Sequence, residues 1–203
     1  MIILTKNLLI AKGGERDCYL HPRDDTKVIK IVHKKEEHNN QNRLEYSYMN
    51  YIKKRRNIDL SQITNCYGYE NTNLGEGLVF DRVIDFDKTP SKSFRYYLAN
   101  KLIPLDEQKE LITELKEYLE KNLILFVDTS LTNIFCPKIS QNKYKLVIVD
   151  GLGAKRTGIK FTLYKTSKLY TKYKIKRQWD KFMQMYEKDV KRAELGKRPF
   201  TRL

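Results

Sequence analysis

Hydrophobic and polar positions alternate with a short period near the start of the chain and with a longer one toward its end. Leu8 to Lys12 and Asp17 to His21 read as two strands around the turn Lys12-Gly13-Gly14-Glu15, and the run KVIKIV, residues 27 to 32, continues as a third. The N-terminal stretch MIILTKNLLIAKGG, with no basic leader or small-residue cleavage site, reads as the first strand of this sheet and not as a signal peptide. A polar stretch, HKKEEHNNQN, leads into Leu44, Tyr48, Met49, Tyr51 and Ile52, which share one face of a helix that closes on the basic run KKRRN. Residues Gly68 to Asn73 read as a turn, and Gly77 to Ile84 as a buried strand. Past Pro90 the period becomes helical. Leu105 precedes a helix carrying Leu111, Ile112, Leu115, Tyr118 and Leu119, and Trp179, Phe182, Met183, Tyr186 and Val190 form a second stripe at spacings of 3, 1, 3 and 4. Between them, Asn133 to Ile139 and Tyr144 to Val149 flank Gln141-Asn142-Lys143, a hairpin whose far end delivers Asp150.

This order predicts an α+β chain of two lobes. Residues 1–85 form an N-lobe of small antiparallel sheet plus one helix, and residues 86–203 a reduced, mainly helical C-lobe. Composition narrows the picture further. The chain has 203 residues, 40% of them hydrophobic and 32% charged, which is the make-up of a folded protein. No apolar run approaches the roughly 20 residues needed to span a bilayer. Cys18, Cys66 and Cys136 are odd in number, widely spaced and without a CxxC pair, which argues against a disulfide framework or zinc site and for a reducing cytoplasm. His21, His33 and His38 lack metal-ligand spacing; His21-Pro22 reads as a strand-end turn and Cys18 as a small buried hydrophobe.

Charge is distributed unevenly. From Lys155 onward there are 16 Lys and Arg against 4 Asp and Glu, so +12 of the formal +15 lies there. Such a tail suits an anionic partner, whether phosphorylated substrate, nucleic acid or acidic surface, or else forms a solvated helix face. The mixed tract TLYKTSKLYTKYKIKRQ suits nucleic acid by phosphate contact and stacking, or a helix with Tyr against the core.

The candidate chemistry sits at the ends of the predicted strands. LFVDTSLTNIFC carries Asp128 and, five positions later, Asn133; LVIVDGLG carries Asp150 followed by Gly151. In a kinase catalytic loop an Asp faces the acceptor hydroxyl and an Asn five positions on holds a metal; the Asp before a later glycine holds metal as well. Oxygen ligands of this type suit magnesium. Lys30, alone among apolar neighbours, matches the strand lysine that holds the α- and β-phosphates, and Glu45 on the predicted helix is its expected partner, with Glu36 and Glu37 as competitors. Gly13 and Gly14 would cradle phosphates, and the main chain of Arg82 or Val83, joining the lobes, would read an adenine edge. Each residue also has an ordinary role: an Asp at a strand end is a common cap, D-x4-N is a frequent spacing, and an edge-strand lysine can reach water. The order of all these elements together favours the kinase-like reading.

The stretch GGERDCYLHPRDDTKVIKIV, together with LTNIFC, VDGLG and the Trp179 to Phe182 region, resembles the YrbL family, described as PhoP regulatory network proteins, over about residues 8 to 190. The resemblance implies a small, divergent, bacterial and cytoplasmic branch of the kinase-like fold. It also implies ATP and magnesium carried by Lys30, Glu45, Asn133 and Asp150, and leaves the acceptor or protein partner open. Departures from a standard kinase are plain. There is no G-x-G-x-x-G, Phe126 and Val127 stand before Asp128, no Phe separates Asp150 from Gly151, no Ala-Pro-Glu follows, and 53 residues follow Asp150. These favour a small-molecule or saccharide phosphotransferase over a peptide kinase. A pseudokinase binding module without transfer is the alternative, and nucleic-acid binding by the basic tail is a third class.

Overall fold

A computed structural model describes residues 1–33, 40–156 and 158–199. The polar stretch containing Glu36, Glu37 and His38 lies outside those residues. The N-terminal half is a five-stranded antiparallel sheet in the order β1-β2-β3-β5-β4, formed by β1 (Leu9–Lys12), β2 (Arg16–His21), β3 (Asp24–Val32), β4 (Cys66–Thr72) and β5 (Gly75–Asp81). In β2 and β3 the period-two pattern sends Tyr19, Ile29 and Ile31 to one face and Cys18, Leu20 and Val28 to the other, and each face packs on its own cluster. The helix α1 (Gln41–Lys53) covers the second face; its buried stripe includes Leu44, Tyr48, Met49 and Ile52, and Asn40 caps it by accepting from the Arg43 N–H.

The first face is covered by the N-terminal segment. Ile2 and Leu4 are buried there. The Ile2 N–H donates to the Asn71 carbonyl at 2.8 Å and the Leu4 N–H to Asn73 Oδ1 at 2.7 Å. The expected first strand therefore begins only at Leu9: Ile2 makes a single bridge to Thr72, and Lys6–Leu8 is a 3-10 turn. A second correction concerns Gly68 to Asn73. These residues were expected as a turn, yet most of them belong to β4, an edge strand whose polar Glu70 and Asn71 face solvent while Tyr69 packs edge-to-face on Tyr46 at 5.0 Å. Gly68 marks a bulge in that strand, and the reversal falls one step later, at Asn73-Leu74.

Beyond residue 92 the chain is mainly helical: α2 (Phe94–Ala99), α3 (Leu105–Asn122), α4 (Ile159–Thr166) and α5 (Lys168–Glu194). The short α2 was absent from the sequence reading, because six residues give too little period to see; Ser93 caps it, and Phe94, Tyr97 and Leu98 bury its apolar side. The expected stripe on α5 is buried at Trp179, Phe182 and Tyr186, and Met183 and Val190 pack at its margin. Arg95 of α2 meets Asp189 of α5 at 2.7 Å with both side chains 4% exposed. Two small pairings link these helices to the sheet side. The strands β6 (Ile134–Phe135) and β9 (Val147–Ile148) pair, and β7 (Lys138–Ser140) and β8 (Lys143–Tyr144) form the expected hairpin between them. The chain is thus the expected two-lobed α+β fold, with one apolar cluster running from Val28 and Leu44 through Leu115 and Phe126 to Phe182. Among the described residues no helix is long and apolar enough to cross a membrane, and all three cysteines are free.

Candidate functional site

The sheet, α1 and the two aspartate segments meet at one cluster of charges. Lys30 projects from β3 toward α1, and its Nζ lies 3.3 and 3.5 Å from the Glu45 carboxylate oxygens. The same ammonium donates to the Val149 carbonyl at 2.8 Å, lies 3.6 Å from Asp150 Oδ1 and rests 4.2 Å above the Phe80 ring centre. Glu45 is the partner expected from the sequence. Glu45, at 5% exposure, and Lys30, at 9%, are nearly enclosed, whereas Asp150 is 38% exposed.

The two aspartate segments are fastened to each other. The Val127 and Asp128 amides both donate to the Gly151 carbonyl, at 2.8 and 3.1 Å. Gly151 has a φ of +84°, and a side chain there would meet Asp128 Cβ and the Asp128 carbonyl at 2.8 Å, so no other residue fits without displacing the loop. Asn133 donates from Nδ2 to the Asp128 carbonyl at 3.0 Å and to Asp128 Oδ2 at 3.1 Å. The D-x4-N spacing is therefore a closed loop, with the Asn amide oriented by the Asp five positions earlier. Segment Leu125 to Gly153 is also pinned to α1. The Leu125 amide donates to Tyr48 Oη at 2.8 Å, and Gly153, at a φ of +82°, lies so close to the Tyr48 ring that an added Cβ would fall 2.6 Å from it.

Three participants escaped the sequence reading. Arg16, the first residue of β2, enters the cluster between the carboxylates: Nη1 donates to Glu45 Oε2 at 2.6 Å and to Asn42 Oδ1 at 3.0 Å, and Nη2 donates to Asp150 Oδ1. Asn42, buried on α1, steadies this arrangement by donating from Nδ2 to the Lys30 carbonyl at 2.9 Å. Lys155 places Nζ 3.1 Å from Asp128 Oδ1. Period two held the signal for Arg16. Cys18 pairs with Lys30 in the sheet register, so Arg16, two residues before Cys18, lies on the Lys30 face. Lys155 follows a glycine-containing loop with no period, and nothing local marks it.

The remaining expected residues sit apart from these contacts. Gly13 closes the turn between β1 and β2 by donating its amide to the Arg16 carbonyl at 2.8 Å, and Gly14 is beside it with open space around it. Arg82 and Val83 follow β5 in the joining segment. The Arg82 amide donates to the Thr26 carbonyl at 2.7 Å, and the Val83 carbonyl accepts from Ser91 at 3.3 Å, so two of their main-chain groups are already engaged. His21 stands at its strand end, 3.5 Å from Glu70.

Electrostatics follow from this crowding. Burial opposes ionisation of Asp150, but Lys30 and Arg16 outweigh it and hold the carboxyl down at about 2. Burial likewise works against the Arg16 charge, and Glu45 and Asp150 reverse that and raise its pKa. Burial pushes the Cys18 thiol up to about 11, which makes it a poor nucleophile. The oxygen types fit a hard divalent cation: Asn133 keeps its carbonyl oxygen free of the Nδ2 bonds, and Asp150 keeps Oδ2 free of the donors gathered on Oδ1. In the same arrangement Arg16, 10% exposed, fills the space between Glu45 and Asp150. A hollow of about 10 Å³ lined by Leu119, Phe126, Thr129, Ile175, Gln178 and Trp179 lies against α5 instead. It is smaller than the roughly 300 Å³ at which ligand pockets begin.

Comparisons with known proteins agree with the sequence resemblance. The family described as PhoP regulatory network protein YrbL matches residues 2–187. Two proteins described as uncharacterized protein YrbL, from Escherichia coli (strain K12) and Shigella flexneri, are each 32% identical over 156 residues, covering 75% of this chain and 74% of theirs. Among solved structures, a Mycobacterium tuberculosis PknI kinase domain aligns at 12% identity and a TM-score of 0.46, over 70% of this chain and 56% of that one. The chain thus spans little more than half of that domain's length.

Proposed function

The chain belongs to the YrbL family, the PhoP regulatory network proteins, and from that premise we propose that it is an ATP- and magnesium-dependent phosphotransferase of kinase-like design. The acceptor in this reading is a small molecule or saccharide alcohol. The observation that supports it above all is the convergence of Lys30, Glu45, Asp128, Asn133 and Asp150 at one junction between the sheet and the helical half.

The roles follow from these positions. Lys30, steadied by Glu45, holds the α- and β-phosphates of ATP. Asp128, oriented by Asn133, receives the proton of the acceptor hydroxyl as its oxygen bonds to the γ-phosphorus and the bond to the leaving ADP oxygen breaks. Asn133 and Asp150 hold magnesium, whose contribution is neutralisation of the phosphate charge. The free thiols fit a cytoplasmic location, and the basic C-terminal region is the surface that would meet an anionic partner.

Thermal unfolding with magnesium and nucleotides tests the binding part. A ligand at a hundredfold excess over its Kd stabilises by about 2.7 kcal/mol, which for a chain of this length raises Tm by about 5–10 °C. Absence of any nucleotide shift in the wild type rejects the reading. Phosphoryl transfer falls on the order of 10³-fold in Asp150→Ala and about 10²–10⁴-fold in Asp128→Ala; full activity in both variants rejects the enzyme. A second reading, nucleotide binding without transfer, is favoured by the Arg16 bond to Asp150. It predicts the thermal shift with no turnover of ATP by the wild type.

A further inference from the structure

Arg16 is unlike the other groups of the cluster, since the kinase elements matched above include no guanidinium against the aspartate that precedes the glycine. An arginine side chain offers five N–H donors. Three contacts are made here, to Asn42, Glu45 and Asp150, which leave the Nε–H and one Nη2–H without a partner among the described residues. The side chain is 10% exposed, and its charge is held by carboxylates on two different elements, α1 and the segment after β9. It shares Asp150 Oδ1 with Lys30 and with the Gly151 amide, which donates at 2.7 Å. The result is an enclosed pair of cations, Arg16 and Lys30, set against the pair of anions Glu45 and Asp150. In a metal-dependent arrangement the corresponding Asp keeps its negative charge for a divalent ion; here that charge is already balanced from within the chain.

We infer that Arg16 is a second phosphate-holding cation that balances Asp150 from Oδ1 and leaves Oδ2 for a divalent ion, so that the site takes a nucleoside triphosphate without metal. Guanidinium is suited to this, because its planar fork binds phosphate oxygens in pairs, and its two remaining N–H groups need not leave the carboxylates to do so. Divalent metal then serves transfer and not binding. The inference rests on the nucleotide reading above and adds a residue and a metal independence that the reading does not contain.

The test is equilibrium binding of ATP carrying a fluorescent ribose label to the full chain, in EDTA and in excess magnesium, for wild type, Arg16→Gln and Arg16→Lys. The wild type binds with affinities within about threefold of each other in the two buffers. Arg16→Gln loses about tenfold or more in EDTA, the equivalent of one charge-assisted hydrogen bond, and recovers in magnesium because Asp150 is released to the ion. Arg16→Lys, which keeps the charge but not the fork, falls between them. Thermal unfolding without nucleotide verifies that each variant is folded. Wild-type binding that requires magnesium, or an Arg16→Gln variant equal to wild type in EDTA, overturns the inference while leaving the nucleotide reading intact. Absence of probe binding to the wild type in both buffers overturns the two together.

Discussion

Among the described residues, the Arg95–Asp189 pair and the cluster around Lys30 are two buried ion groups that are built differently. Between α2 and α5, Arg95 and Asp189 face each other at 2.7 Å, both 4% exposed and both fixed on helices. Between the sheet and the aspartate segments, two cations meet two carboxylates, with Asp150 still 38% exposed and Arg16 with donors to spare. The first joins two helices and faces no opening. The second has unsatisfied bonding capacity beside an accessible carboxylate, which is the condition for receiving a ligand. Burial of charge alone therefore does not tell the two clusters apart; surplus bonding capacity next to solvent does.

The contrast can be broken most strongly at its closed end. Arg95→Met strands a buried Asp189 and is expected to cost about 3–5 kcal/mol, read as a drop in denaturant midpoint, with nucleotide affinity at low temperature unchanged. Replacing both partners by apolar residues returns most of that loss. Gly151→Ala comes next. The positive φ and the 2.8 Å approach to Asp128 are expected to cost about 1–3 kcal/mol, with nucleotide binding weakened as well, because the two aspartates move apart. Arg16→Gln sharpens the contrast: Glu45 retains Lys30 and Asp150 retains the Gly151 amide, so the expected cost is only about 1–2 kcal/mol, well below that of Arg95→Met. Equal losses in the two arginine variants would erase the distinction. The smallest effect is in pH. Asp150 has its carboxyl lowered from 3.8 to about 2, so its contribution is complete above about pH 4 and is lost as pH falls through about 2. Acid titration of stability should show this window in the wild type and a narrower one in Arg16→Gln.

Much of the fold was legible because its elements have strong periods. The strand around Lys30, the stripe of α1 and the stripe of α5 each repeat often enough to declare their face. The residues Lys30, Asp128, Asn133 and Asp150 were legible for a related reason: each interrupts or ends an apolar segment, where a polar group is costly unless it has a task, and Glu45 was legible only by its place on the helix that follows Lys30. What the sequence hid was polar residues among polar neighbours. Arg16 lies in GGERD, where a charge looks ordinary, and only the register that pairs Cys18 with Lys30 turns it inward. Edge strand β4 was missed because half of it faces water and its glycine sits in a bulge, features that locally imitate a turn. The N-terminal segment was misread as a strand because its apolar residues cover the sheet from outside without joining its ladder.

The tie between Tyr48 and the helical half sets a limit on how this molecule can be switched. The Leu125 amide ends on the Tyr48 hydroxyl and Gly153 presses on its ring, so the helix that carries Glu45 is bolted to the chain on both sides of the aspartates. A bolted helix is no lever. Kinases regulated by swinging the equivalent helix outward break a lysine–glutamate pair each time they turn off. Here the Lys30–Glu45 contact rides on a helix tied at Tyr48, so the same swing would first have to break the Tyr48 contacts with Leu125 and Gly153.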